Sequence, residues 1–218
     1  MFVVLFEVQP KGERWDEYLE FAKFLRPKLE TIDGFVDNER FASKRTEGRL
    51  LSLSTWRDEK ALVRWRTQGE HHAVQEKGRF EIFADYHLRV GEIVADTAPP
   101  DGTGLAQQRL DETETGAAKA VTITEITPNQ GAPAIAQEAF GLDPRAGDLV
   151  DHEVFESITA PGKLLLLASW RDAASASDWR PQAPASGDAM RHRRVRVVRD
   201  YGLRDRREAP QFYPPVDG

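Results

Sequence analysis

The segment Leu53-Ser54-Thr55-Trp56-Arg57-Asp58 returns as Leu167-Ala168-Ser169-Trp170-Arg171-Asp172, 114 residues further along the chain. The same offset carries Glu39 to Glu153, Phe41 to Phe155 and Trp65 to Trp179. One residue beyond it, Asp85-Tyr86-x-Leu88-Arg89 returns as Asp200-Tyr201-x-Leu203-Arg204. Rare and charged residues recurring in one order at near-constant spacing point to a tandem duplication. Between the copies lies VADTAPPDGTGLAQQRLDETETGAA, residues 94–118, rich in Pro, Gly, Thr and Asp and without periodicity. It reads as a linker or long surface loop. The 218 residues are thus expected to divide into a first repeat at 1–95, a polar linker at 96–117, a degenerate second repeat at 118–206 and an extended tail at 207–218.

Each repeat reads β-α-β-β-α-β. Phe2 to Val8 is apolar and β-branched, a strand. Trp15, Leu19, Ala22, Phe24 and Leu25 recur at helical spacing, and Asp33-Gly34 ends that helix. Phe35 to Phe41 and Arg49 to Trp56 are two strands around a turn, Asp58 caps a second helix running to Gly78, and Phe80 to Val94 is the last strand. The second repeat has strands at Val121 to Ile126, Val150 to Ile158, Lys163 to Trp170 and Val195 to Leu203. Its first helix shrinks to Pro133 to Phe140, and its second ends near Trp179 because Pro181 and Pro184 cannot continue it. The fold class is α+β: two ferredoxin-like units within one chain.

Composition narrows the chemistry. The chain is 40% hydrophobic and 30% charged with net charge −6, enough apolar content for a core. Without cysteine it has no disulfide, thiolate metal site or cysteine nucleophile. No apolar run reaches the ~20 residues of a membrane span, and no secretory leader frames Met1 to Leu5, so a cytoplasmic protein without membrane contact is expected. Met190 to Arg207 holds eight arginines, but no aromatic platform lies among them and the whole chain is acidic. A solvated strand face is expected there, and no nucleic-acid partner. No metal-ligand spacing, phosphate loop or nucleophile elbow is present.

Trp56-Arg57-Asp58-Glu59, Trp65-Arg66, Glu70-His71, Gln75, Gly78-Arg79, Phe83 and Asp85-Tyr86-x-Leu88-Arg89-Val90 resemble the antibiotic biosynthesis monooxygenase domain. The resemblance covers about 95 residues of the first repeat and only landmarks of the second. It implies two ferredoxin-like sheets packed face to face as a dimeric α+β barrel, here a pseudo-dimer within one chain that leaves room for a further homodimer. It also implies oxidation of a small aromatic or quinol-type molecule by molecular oxygen without metal or flavin. Two alternatives come with it: haem binding or degradation, and a non-catalytic ligand-binding or stress-response module. Haem-degrading relatives use an Asn on the first strand, where this chain has Glu7.

His71 and His72 are the candidate bases, since a neutral imidazole suits abstraction of a phenolic proton. On an unbroken helix His72 returns to within about 20° of Trp65 and His71 points about 120° away. The resemblance instead places His71 inward, and a break near Gly69 would reconcile the two. Glu70 is a candidate to orient His71, Arg79 to stabilise negative charge, and Trp65, Phe83 and Tyr86 to shape a substrate pocket between the first sheet and the helix from Asp58 to Gly78. Trp56, repeated as Trp170, reads as structural, and the acidic residue kept in both halves as Glu39 and Glu153 reads as a partner in a barrel-interface ion pair rather than a catalyst. The position matching His71 falls at Ala185 or Ser186, where the second repeat has lost its helix. One pocket is therefore expected, in the first repeat.

Overall fold

The computed structural model describes residues 1–129, 140–183 and 188–210. Eight antiparallel strands close into a single barrel: β1 (Phe2–Pro10), β2 (Phe35–Ser43), β3 (Leu50–Trp56), β4 (Phe83–Asp96), β5 (Ala120–Thr127), β6 (Leu149–Ser157), β7 (Leu164–Trp170) and β8 (Ala189–Gly202). Around the barrel the order is β1-β3-β2-β6-β7-β5-β8-β4. Residues 1–96 thus form one four-stranded arc, residues 120–202 the other. A long seam pairs β4 with β8, from His87 opposite Gly202 to Asp96 opposite Arg193. A short one pairs only Phe41, Ala42 and Ser43 of β2 with Ser157, Glu156 and Phe155 of β6.

Among the described residues four α-helices lie outside: α1 (Trp15–Glu30), α2 (Glu59–Thr67), α3 (Gly69–Lys77) and α4 (Ala173–Asp178). Asp58 accepts from the Ala61 N–H at 2.8 Å to start α2, and Asp172 does the same from Ser175 at 2.8 Å to start α4. Each cap satisfies an amide that the first helical turn leaves unpaired. The expected helix from Asp58 to Gly78 is in fact two, broken at Gln68, followed by a wide π-type turn at Gly78–Ile82. Gly78 is required in that turn, since a Cβ would stand 2.5 Å from the Phe83 ring. Pro133 to Ala139 of the expected short helix, the Ala185 and Ser186 positions, and Phe212 and Tyr213 of the tail lie outside the described residues. No helix among the described residues is long and apolar enough to cross a membrane.

Alternation sends one side of every strand into the barrel. Its middle is apolar: Val3, Leu5, Phe41, Leu51, Leu53, Val121, Ile123, Phe155, Leu165, Leu167 and Val195 are buried together. Toward the mouths the inward residues become charged. At one end Arg89 donates to Glu7 at 2.6 Å, Arg49 donates to Glu7 at 2.9 Å, and Ser43 bonds Glu153. At the other, Arg193 donates to Glu125, Lys163 lies 2.8 Å from Glu125, and Ser157 donates to Glu39 at 2.6 Å. Strand register makes these sets counterparts, because Leu5 opposes Arg89 as Ile123 opposes Arg193.

This corrects two expectations. The arginines of β8 are not a solvated face: Arg193 is 1% exposed, and Arg191 donates to Asp96 at 2.7 Å. The interval 96–117 is not a free linker either. The buried Glu92 carboxylate accepts from the Gln108 and Arg109 amides, and Glu208 accepts from the amides of Glu114 and Thr115. Trp56 and Trp170 are both buried, with their indole N–H groups donating to Ser54 and Thr122.

Burial works against ionisation of Glu7 and Glu125, but the adjacent Arg89 and Arg193 outweigh it and hold both carboxyls below their usual range. That stability is present above the ordinary carboxylate value near ~4.3 and is lost as pH falls through the depressed one. Arg89→Leu leaves Glu7 buried without its main partner and is expected to cost about 3–5 kcal/mol. Urea unfolding at pH 7 measures this, and the loss shrinks in acid as the carboxyl protonates.

Candidate functional site

The outer face of the first sheet is covered unevenly. Along β1 its residues are Phe2, Val4, Phe6 and Val8, of which Phe2 and Val8 are fully buried while Val4 and Phe6 are half-exposed. On β3 the middle residue Ser52 is half-exposed between buried Leu50 and Ser54, and on β4 Leu88 is half-exposed between buried Tyr86 and Val90. The ends of the face are sealed, and its centre, Val4, Phe6, Ser52 and Leu88, is only partly covered. The counterpart residues of the second half, Thr122, Thr124, Leu166 and His192, are all buried.

The corner between α2 and α3 lies beside this partly covered centre, since Trp65 packs against the same cluster as Val4 and Leu88. Gln68 is extended, with φ −61° and ψ 128°, which ends α2. Its side-chain oxygen then accepts from the His71 N–H at 2.7 Å and starts α3. The break cancels the helical phase and lays the His71 ring on Trp65, with centroids 4.0 Å apart and planes 16° from parallel. It falls at Gln68, one residue before the expected Gly69.

The end of α2 also fixes the imidazole tautomer. The Trp65 carbonyl is one of the last of its helix, where carbonyls lack intrahelical partners. It accepts from the Gln68 N–H at 3.2 Å and lies 2.9 Å from His71 Nδ1. A carbonyl only accepts, so Nδ1 carries the proton and Nε2 keeps its lone pair. Among the described residues only the Gln75 amide approaches Nε2, at 3.4 Å. Burial pushes the His71 pKa down to about 4, so the ring is neutral at physiological pH.

The other candidates fall into different places. Trp65 flanks the buried group of Phe2, Trp56 and Val90, as do Val4 and Leu88. Phe83 meets Phe6 at 5.7 Å and Tyr18 at 6.2 Å in an aromatic cluster that also touches Leu88. Arg79 is half-buried, with its guanidinium 4.5 Å over the Phe80 ring. Tyr86 is buried and its hydroxyl accepts from Arg206, so that oxygen is already engaged. His72 is exposed. Glu70 does not orient His71: its carboxylate bonds Lys28 at 2.9 Å and Gln68 at 2.9 Å, and the orienting groups are Gln68 and the Trp65 carbonyl. Glu7 turns into the barrel onto Arg89, so β1 offers the partly covered centre Phe6 rather than a polar residue.

A titratable residue outside the expected set is His87. It lies between Asp200, 2.6 Å from its Nε2, and Glu7, 3.6 Å from its Nδ1. Burial lowers its pKa, but hydrogen bonds to Asp200 and Glu7 outweigh this and raise it. It lines a cavity of about 510 Å³ at one mouth of the barrel with Asp85, Thr115, Asp200, Tyr201 and Arg204. No signal in the sequence marks it: the repeated Asp-Tyr-x-Leu-Arg aligns His87 with Gly202, whereas the strands make these two residues partners across the β4–β8 seam.

For haem, an axial imidazole must present a free nitrogen to an open apolar slab. The His71 ring is covered on one face by Trp65, and β1 lacks the Asn of haem-degrading relatives. The described residues hold no group of three or more His, Asp or Glu side chains arranged for a metal ion. The haem alternative has no support here.

Comparison with known proteins gives a consistent result. The family model for antibiotic biosynthesis monooxygenase matches residues 1–77. A jasmonate monooxygenase of Pyricularia oryzae is 44% identical over 222 residues, covering 99% of this chain and all of that protein. An uncharacterized protein of Bacillus subtilis, YqjZ, is 30% identical over 83 residues, covering 38% of this chain and 71% of its own length. Among solved structures, aldoxime dehydratase superposes with a TM-score of 0.56 over 96% of this chain and 88% of its own at 13% identity, a likeness of fold alone. The full-length relationship is decisive: the chain belongs to the antibiotic biosynthesis monooxygenase family.

Proposed function

We propose that the protein is a monooxygenase that uses molecular oxygen without a bound cofactor, acting on a small cyclic molecule held over Val4, Phe6 and Leu88. The observation that carries this is the neutral His71, stacked on Trp65 with Nδ1 tied down and the Nε2 lone pair met, among the described residues, only by the long 3.4 Å contact of the Gln75 amide, which a substrate proton displaces. Nε2 removes a proton from a phenolic hydroxyl or an acidified C–H, and the resulting anion is electron-rich enough to reduce oxygen. The imidazolium formed is balanced by the substrate anion beside it and by the Trp65 ring face. Arg79 stabilises the developing negative charge, and Trp65 and Phe83 shape the pocket.

Electron balance restricts the substrate. With no external reductant, the electrons that reduce the second oxygen atom to water come from the substrate itself. A ring CH₂ activated as in a quinol-type molecule satisfies this: CH₂ and O₂ give C=O and H₂O, the imidazolium returning its proton to the departing oxygen. The relative named for jasmonate adds that ring ketone to the substrates to be tried.

The reciprocal ion pairs at the two mouths support a chain of two ferredoxin-like repeats, the second supplying in cis the sheet that closes the barrel on the first. If residues 1–95 alone formed a fully active monomer, this arrangement would be wrong.

Oxygen uptake with a hydroquinone, an anthrone-type phenol and jasmonate tests the activity. His71→Ala is expected to abolish uptake with an unchanged unfolding curve, His72→Ala to leave it intact, and labelled O₂ to place one atom in product and one in water. Uptake that survives His71→Ala removes the assignment. No uptake with any substrate, together with tight ligand binding, identifies a non-catalytic binding module.

The pH dependence has a definite sign. The base works unprotonated, so kcat/KM stays level from pH 8 to about pH 5 and falls as pH drops toward about 4. Trp65→Leu uncovers the imidazole and is expected to move that limb up toward the ordinary ~6.5. A wild-type limb already at 6.5 would show that His71 is solvated.

A further inference from the structure

The second half has not simply lost a pocket, for its covered face has changed character. Strand register matches the two outer faces residue by residue: Val4 opposes Val90 and Phe6 opposes Leu88, whereas Thr122 opposes Arg194 and Thr124 opposes His192. Four apolar positions at the centre of one sheet are thus Thr, Arg, Thr and His in the other. Thr122 and Thr124 are fully buried and His192 is 7% exposed. Burying polar groups beneath a helix layer is unfavourable unless each is bonded, so this substitution needs a compensating partner.

Two of the groups have none among the described residues. Thr124 Oγ1 lies 2.8 Å from His192 Nδ1, but His192 Nε2 is buried without a partner. Trp179, the counterpart of Trp65, meets the His192 ring edge to face with centroids 5.5 Å apart, and its indole N–H is likewise buried without an acceptor. A threonine hydroxyl can donate to Nδ1, which places the imidazole proton on Nε2 and leaves two N–H donors in one layer. Arg194, half-buried on the same face, forms no ion pair or hydrogen bond among the described residues. Asp96, the acidic group acting on His192, already accepts from Arg191. Around these donors the walls are apolar: Ile126, Leu164 and Leu166 buried, Leu142, Val154 and Met190 partly so.

We propose that this face is a second ligand site, taking a small apolar molecule that carries a carboxylate, with Arg194, the Trp179 indole and the His192 imidazole holding the carboxylate. A guanidinium and two N–H donors without an acceptor specify an oxyanion, and the surrounding aliphatic side chains specify an apolar body. Burial, with Arg194 and Arg180 nearby, pushes the His192 pKa down to about 4, so the imidazole enters as a neutral donor. The site is distinct from the His71 pocket and does not depend on the reaction proposed there.

Calorimetric titration of the full chain with octanoate, and with octanol as its uncharged counterpart, tests the proposal. Saturable octanoate binding that octanol does not reproduce is expected. Trp179→Phe, which keeps the ring, and Arg194→Gln should each weaken it by about tenfold, the usual effect of losing one charge-assisted hydrogen bond. His71→Ala should leave it unchanged, which separates this site from the other. In the wild-type chain the same titration should shift the Trp179 indole N–H resonance, identified by its absence in Trp179→Phe. No octanoate binding, equal binding of octanol, an unmoved indole resonance, or loss of binding only in His71→Ala would each overturn the proposal.

Discussion

The barrel depends on keeping two acidic residues, Glu7 and Glu125, ionised near its mouths. Each is 4–6% exposed and each is met by an arginine from the neighbouring strand, Arg89 or Arg193. A carboxylate so placed is tolerated only if a cation is fixed beside it, because the loss of hydration is far larger than a loose pair returns. The pairs therefore act as register pins. A shift of β4 by one residue would turn Arg89 out and Leu88 or Val90 in, and the same shift of β8 would exchange Arg193 for His192 or Arg194. Ser43 with Glu153 and Ser157 with Glu39 extend the same constraint across the short seam, where only three residue pairs join β2 to β6. The apolar middle supplies the larger share of burial, but it is indifferent to which strand ends meet. The ionic ends are not.

A barrel pinned this way frees the helix layer to build a site. On the first sheet a single interruption, the extended Gln68, performs several tasks. It ends α2, caps α3 through its side chain, and rotates His71 onto Trp65. The carbonyl left over at the end of α2 then selects the imidazole tautomer. Base, stacking surface and tautomer thus follow from one local backbone choice, and none requires a charged partner. That is why Glu70 is available to bond Lys28 on the helix surface.

Much of the architecture was legible because it rests on short-range patterns. The Trp-Arg-Asp segment combines a strand end, a buried indole and a helix cap, and all three recur at Trp170-Arg171-Asp172. What was not legible involves phase and partners. An uninterrupted helix through Gln68 would have favoured His72 on the inner face, and Gln is not a strong breaker, so the break is visible only once its side chain is seen capping His71. The arginines of β8 looked like a solvated stripe because their partners Asp96 and Glu125 are remote in sequence. His87 was passed over because its environment, Glu7 and Asp200, is assembled from three strands.

The contrast between the inside and the outside of the barrel has a physical cause. Inward residues of one half touch those of the other, so a change at Glu39 or Ser157 is felt across the seam by Lys163 or Glu39. Such residues stay matched in both halves. The outer face of each sheet is in contact only with its own helices and can change alone. The first kept Val4, Phe6 and Leu88 only partly covered, while the second exchanged Phe6 and Leu88 for Thr124 and His192 and shortened its helix to α4. Drift toward a filled core would have replaced apolar residues with larger apolar ones, since that gains burial without any bonding requirement. Replacement by hydroxyl, imidazole and guanidinium runs against that gradient, and it is the kind of change that a bound polar partner, rather than packing, makes stable.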